Sequence, residues 1–120
     1  MRPRGNTQED YLIRMIKQAA EVLRRLRQRL VGGGGSPEEI RRDAAVAVDM
    51  LLGAQSTVLA MLDPVSAVTL VGHPDVVHLW AALLDVQAGA AESDDDAANR
   101  LRGRAQSLRE AAAALWGTPS

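Results

Sequence analysis

The side chains that come nearest to a metal-binding pattern are His73, Asp75 and His78. Asp75 and His78 are three residues apart, which places them on one face of a helix. A zinc site needs at least three strong protein ligands, and no third ligand follows these two along the same face. Pro74 also fixes the backbone of the first helical turn. We therefore predict no metal and no cofactor here, with His73 at a helix start and His78 partly exposed on the helix.

Two other stretches resemble ligand-binding features only in part. Gly32–Gly35 precedes a helix, but a phosphate-binding loop needs a preceding strand and a Gly-Lys-Ser/Thr ending. Asp94–Asp96 brings three carboxylates together in sequence, but successive helical residues point about 100° apart. We interpret the first stretch as a turn between helices and the second as acidic residues that favour the positive end of a helix dipole.

Serine-based catalysis lacks a recognisable motif in this chain. A serine nucleophile needs a histidine base within hydrogen-bonding reach, and the serines lie in no known pattern of that kind. The sequence leaves open a serine–histidine pair assembled by the fold, or an enzyme or small-molecule site between helices near His73 and His78. We predict a non-enzymatic protein without catalytic residues. The serines considered are Ser56, Ser66, Ser93 and Ser107.

The elements that would carry these side chains are helices. Thr7 is a helix-start residue, and a stripe of apolar residues at spacings of four and three follows it. That stripe is Leu12, Ile16, Ala19, Leu23, Leu26 and Leu30. We predict a first helix over about 8–31 and a second one that begins with Ser36-Pro37. Gly53 either ends or indents the second helix, and we expect residues 54–62 to be helical.

The second half of the chain repeats the same signals. Asp63-Pro64 starts a short helix that Gly72 ends, Pro74 starts a fourth helix, and Ser93 starts the last one. The apolar stripe of the last helix is Leu101, Ala105, Leu108, Ala112 and Leu115. We predict an all-α fold of antiparallel hairpins with about five helices in the order long, medium, short, medium, long. Trp80 and Trp116 lie on apolar stripes, so we expect both in the core.

Length and composition indicate one domain. The chain has 120 residues, 47% of them hydrophobic, with no Phe and no Cys. We predict a disordered or extended N-terminus at 1–7, a helical domain at 8–117 with a glycine-rich turn at 32–35, and a tail at 118–120. Residues 1–10 lack the apolar segment of a signal peptide. The uncharged stretch 50–62 is too short to span a bilayer. We expect a cytoplasmic location and no membrane contact.

Charge is divided unevenly along the chain. Residues 1–31 carry eight basic and three acidic side chains, a balance of +5, whereas residues 32–120 carry six and twelve, a balance of −6. Glu21 interrupts the basic outer face of the first helix, because it lies four residues from both Lys17 and Arg25. No aromatic residue on that face could stack on bases. We therefore predict no nucleic-acid binding.

The same helix is the predicted interaction surface. Beside its main stripe it has a second apolar line, Ile13, Ala20 and Val31, which suggests a second packing partner and a possible homodimer. The predicted surface comprises Ile13, Arg14, Lys17, Ala20, Arg24, Arg25 and Val31.

The opening segment Asp10-Tyr11-Leu12-Ile13-Arg14-Met15-Ile16-Lys17-Gln18 resembles a bacterial family of small uncharacterised helical proteins. Its members begin Asp-Tyr-Leu-apolar-Arg-apolar-Ile. The resemblance covers most of residues 9–116, and it implies a tetratricopeptide-like fold of helical hairpins without known catalytic residues. From the residues and the resemblance together, we expect a protein-interaction or scaffold module whose partner the sequence does not identify. A nucleic-acid-associated protein that uses the basic first helix is the alternative in another class.

Overall fold

A computed structural model of the chain describes residues 6–91 and 96–118. The predictions for Ser93, Asp94 and Asp95 lie outside these residues. All regular elements within the described ranges are helical, which confirms the all-α prediction of about five main helices. They are α1 (Asn6–Gly32), α2 (Pro37–Leu52), α3 (Ser56–Met61), α4 (Pro64–Val71), α5 (Pro74–Gly89) and α6 (Asp96–Trp116). Since α1 already includes residues 6 and 7, the N-terminus that was predicted to be disordered or extended is helical at its last two positions.

Side-chain caps define the starts of α2 and α4. The Ser36 hydroxyl accepts a hydrogen bond from the Glu39 backbone N–H at 3.2 Å. The Asp63 carboxylate accepts one from the Ser66 N–H at 3.1 Å. Each cap is followed by a proline at the first helical position, where its missing N–H leaves no helical bond unmade. These bonds satisfy amide groups that have no partner within the helix, so both starts follow from local chemistry.

Glycine ends the helices on either side of the α3 segment. Gly53 has a φ of +68°, which a residue with a Cβ rarely adopts, and Gly72 has a φ of +70°. The chain after α2 forms a 3₁₀ turn at Gly53–Gln55 and then the separate helix α3. Residues 56–61 are therefore helical as predicted, but they do not continue the second helix, because the backbone changes direction at Gly53.

Helix α5 lies at the centre of the molecule. It packs most extensively against α6 and also contacts α1, α2 and α4. Its buried residues face in several directions around the helix, as expected for a helix that is apolar on all sides. They are Val76, Val77, Trp80, Ala81, Ala82, Leu83, Leu84, Val86 and Ala88. One core cluster joins α5 to α3, α4 and α6, and a second joins it to α1 and α2.

Helix α1 buries one side only. Ala19, Leu23 and Leu26 of the predicted stripe are buried, whereas Leu12 and Ile16 nearer its start are half-buried. At the other end, Leu30 approaches Gly89 of α5 so closely that a Cβ on that glycine would lie 3.0 Å from the leucine Cδ2. The stripe therefore packs well along its second half and only partly along its first.

The end of α6 differs from the prediction. Leu108 is fully buried and Leu101 is half-buried, but Leu115 is 51% exposed and Trp116 is 37% exposed. The expectation that Leu115 packs in the stripe and that Trp116 lies in the core was wrong. Apolar periodicity can continue to the last residue of a helix, whereas burial stops where the neighbouring elements stop.

The segment Pro37–Met61, which comprises α2, the 3₁₀ turn and α3, is long and apolar enough to cross a membrane by length and composition. The best stretch within it is only 17% buried. The uncharged stretch 50–62 covers only part of this segment, because Asp49 lies within it. Such a run is weak evidence, since it also occurs in proteins that do not span membranes, so the predicted absence of membrane contact stays a prediction.

Candidate binding groove beside Trp80

A groove of about 520 Å³ opens between α2, α3, α5 and α6. Its apolar side chains come from all four of these helices: Ala45, Val48, Leu52, Ala60, Trp80, Leu84, Ala97 and Leu101. Its polar side chains are Asp49, Ser56, Gln87, Arg100 and Arg104. The volume lies within the range of roughly 300–1,000 Å³ that ligand pockets occupy.

Helix α5 positions the base of the groove. Trp80 is only 3% exposed, so its indole packs into the core while part of it borders the groove. Leu84 follows four residues later and therefore lies on the same face. The expected core position of Trp80 is confirmed, and one part of the same side chain also lines the groove.

Arg104 of α6 covers the Trp80 ring. Its guanidinium carbon lies 5.6 Å from the ring centroid, within the range of a cation–π contact. The arginine Nη2 also donates a hydrogen bond to the Leu59 carbonyl of α3 at 2.9 Å. Burial lowers the pKa of Arg104, and the charge of Asp63 partly opposes that effect. The guanidinium stays charged, since arginine titrates far above neutral pH.

The charged groups of the groove do not neutralise one another. The Ser56 hydroxyl donates to the Asp49 carboxylate at 2.6 Å across the junction of α2 and α3. Neither Arg100 nor Arg104 forms an ion pair with Asp49 among the described residues. Two arginines and one aspartate leave the described lining with a balance of +1. The groove is thus an apolar surface with a cationic side.

The histidines that sequence reasoning singled out lie elsewhere. His73 Nδ1 accepts a hydrogen bond from the Asp75 backbone N–H at 3.2 Å and caps the start of α5. His78 is half-buried, and neither histidine lines the groove. Within residues 6–91 and 96–118, no three His, Cys, Asp or Glu side chains are grouped to hold a metal ion. Trp80 lies seven residues after His73, about two helical turns along α5, so the groove is separate from the helix cap. A site near the two histidines stays a prediction.

The predicted interaction residues of α1 are all exposed. Ala20, Arg24 and Val31 border one shallow concavity of the helix, while Arg25 borders a separate furrow between α1 and α2. Val31 is 90% exposed and Ile13 is 49% exposed. The structure therefore places Arg25 beside a different concavity from Ala20, Arg24 and Val31, while Ile13, Arg14 and Lys17 line neither of the two.

Glu21 pairs with two arginines on the outer side of α1. Its carboxylate contacts Arg25 at 3.3 Å, one of the two partners that the four-residue spacing offered, and it also contacts Arg24, which that spacing did not include. The hydrogen bond from Arg24 is the main cause that lowers the Glu21 pKa. The basic face is thus interrupted at its centre.

Sequence reasoning did not identify Arg100, Arg104 or Asp49 as site residues. Trp80 and Arg104 lie on different helices, and no spacing rule connects them. The available signal was limited to two arginines four residues apart on one helix, which share a face.

No protein-family model, curated protein or solved structure matches the chain. The resemblance of Asp10–Gln18 to the bacterial family, and the tetratricopeptide-like fold that it implies, remain predictions.

Proposed function

We propose that this protein is a non-enzymatic interaction module that holds an apolar segment of a partner protein in the groove beside Trp80. The observation that carries the proposal is the groove itself, an apolar surface between four helices with polar side chains at its border. Apolar centres with polar rims are typical of surfaces that bind proteins and ligands. Grooves between helices commonly receive the apolar face of a partner helix.

The composition of the groove supports binding rather than catalysis. None of the described lining residues is a histidine, cysteine or lysine. The Ser56 hydroxyl donates a hydrogen bond to the exposed carboxylate of Asp49. Catalysis by a serine nucleophile needs a positioned general base, most often a histidine, and no histidine is among the described lining residues.

The second candidate function is binding of a small apolar molecule in the same groove. The volume of about 520 Å³ favours it, because drug-sized ligands occupy pockets of this size. The two candidates differ in how much of the border they use. A peptide must cross the border of the groove and contact its exposed edge, whereas a small molecule needs only the apolar interior.

A peptide-library selection against the immobilised protein tests the proposal. Ala60 is exposed and lines the groove from α3, so Ala60→Trp fills the groove without entering the core. Ala114→Trp, on the exposed side of α6, is the matched control. We expect labelled peptides to bind the native protein and Ala114→Trp equally in fluorescence anisotropy and to lose affinity for Ala60→Trp. Peptides that bind all three proteins alike, or no selected peptide at all, would contradict the proposal.

A further inference from the structure

The arginines of α6 differ in what they contact. Arg109 forms an ion pair with Asp85 of α5, and Arg102 donates to the Ala88 carbonyl at 3.4 Å and to Asn99. Arg100 has no hydrogen bond or ion pair with a described residue, yet it borders the groove. Arg104 uses Nη2 for the Leu59 carbonyl, and a guanidinium has five N–H donors. Two arginines therefore present unused donors on one side of the groove.

These two arginines also lie close enough to act together. Residues four apart on a helix have Cβ atoms about 5–6 Å apart, and two like charges at that spacing repel each other. Asp49, the described carboxylate that lines the same groove, is held by the Ser56 hydroxyl. A carboxylate from outside would relieve the repulsion and accept paired N–H donors, for which the planar guanidinium is well shaped.

Trp80 makes Arg104 suited to this task. The ring contact and the bond to Leu59 hold the guanidinium in place, so less side-chain freedom remains to be lost on binding. The partial burial of Arg104 also weakens the screening of its charge by water, which strengthens a hydrogen bond to a carboxylate. Arg100 lies one turn earlier and is exposed, so it can reach the same carboxylate from the solvent side.

We propose that Arg100 and Arg104 bind an acidic side chain of the partner, so that the segment held in the groove is an amphipathic peptide with an Asp or Glu beside its apolar residues. This inference rests on the proposed function and adds the charge of the partner to it. Acidic peptides are favoured, basic ones are excluded by repulsion, and binding weakens as salt rises.

The test uses short, Leu-rich amphipathic peptides that differ at one position, Glu, Gln or Lys. Their affinities for the full-length protein are measured by fluorescence anisotropy at about 50 mM and about 300 mM salt. We expect the Glu peptide to bind about tenfold more tightly than the Gln peptide at low salt, and the Lys peptide to bind more weakly than either. A further peptide has Gln at that position and a free C-terminal carboxylate. It shows whether the arginines bind a terminal carboxylate rather than one on a side chain.

Matched variants locate the effect. Arg100→Gln should remove most of the preference for Glu over Gln, while Arg102→Gln on the opposite side of α6 should leave it unchanged. Arg104→Lys keeps the charge but loses the planar guanidinium, so it should reduce the preference for Glu over Gln only partly. Equal binding of the Glu and Gln peptides would overturn this inference and leave the groove proposal standing. The same holds if tighter binding is seen only for the peptide whose carboxylate is at its C-terminus. If no peptide in the series bound, both would fail.

Discussion

Helices α5 and α1 are packed in opposite ways. Helix α5 is buried over most of its circumference and joins both core clusters, whereas α1 buries one stripe and exposes the other side. The free energy of folding is therefore concentrated along α5 and its seam with α6, because buried apolar area is its main source. Exposed apolar residues such as Ile13 and Val31 contribute little to folding, which leaves them available for contacts between molecules.

The largest expected effect is at the seam between α5 and α6. Replacing the fully buried Leu108 by alanine should lower the free energy of unfolding by about 2–5 kcal/mol, because a cavity remains. The matched change Leu115→Ala, at a half-exposed position on the same helix, should cost only about 0.5 kcal/mol. Chemical denaturation measures both. A loss below about 0.5 kcal/mol for Leu108→Ala would show that α5 and α6 do not pack as described.

A smaller effect is expected where α2 begins. Ser36→Ala removes the bond to the Glu39 N–H and should cost about 0.5–2 kcal/mol. Thr57→Ala on the exposed side of α3 is the control, with no loss expected. If both variants unfold at the same denaturant concentration as the native protein, the start of α2 is set by Pro37 and packing rather than by the serine.

A pH effect is expected at the start of α4. Hydrogen bonds from Ser66 lower the pKa of Asp63 below its ordinary 3.8. A lowered folded-state pKa stabilises the protein above the unfolded pKa, and this contribution disappears as pH falls through the lower, folded value. The melting temperature of the native protein should exceed that of Asp63→Ala at neutral pH, and the gap should narrow in that acidic range. A difference in melting temperature that does not change with pH would show that the effect of Asp63→Ala comes from packing rather than from the charge of the carboxylate.

Self-association should change without a change in folding. We predict a homodimer through the apolar line of α1, so Ile13→Ser with Val31→Ser should give a monomer in light scattering at equal stability. Val58→Ser, at a similarly exposed position on α3, should leave the dimer intact. Because each α1 carries net positive charge, added salt should strengthen the association by screening repulsion. A native protein that is monomeric at micromolar concentration would contradict this prediction.

The smallest expected effect is in nucleic-acid binding. Glu21 pairs with Arg24 and Arg25 at the centre of the basic face, and the rest of the chain is acidic. A gel shift at about 50 mM salt, where electrostatic binding is strongest, should show no micromolar complex. Salt-sensitive micromolar binding that an Arg14→Glu, Arg25→Glu double variant abolishes would instead favour the nucleic-acid function.

Sequence reasoning predicted where helices begin and end more accurately than it predicted which side chains are buried. The predicted starts at Pro37, Pro64 and Pro74 and the end at Gly72 agree with the structure. The exposure of Leu115 and Trp116 could not be predicted, because periodicity indicates which side of a helix is apolar but not where the neighbouring helix stops. His73 lies at the start of α5, as predicted, and its imidazole accepts a hydrogen bond from the Asp75 N–H.

The sequence by itself determined the helices and most of their boundaries, because the groups that start and end a helix lie within a few residues of each other. Ser36 and Glu39 are three apart, and so are Asp63 and Ser66. Only the tertiary structure determined which side chains meet in the groove. Its arginine Arg104 reaches the Leu59 carbonyl across 45 residues of chain and covers Trp80 on a third helix. Side chains so distant in sequence meet only when the packing of whole helices is known, since contacts between helices depend on the geometry of their ridges and grooves.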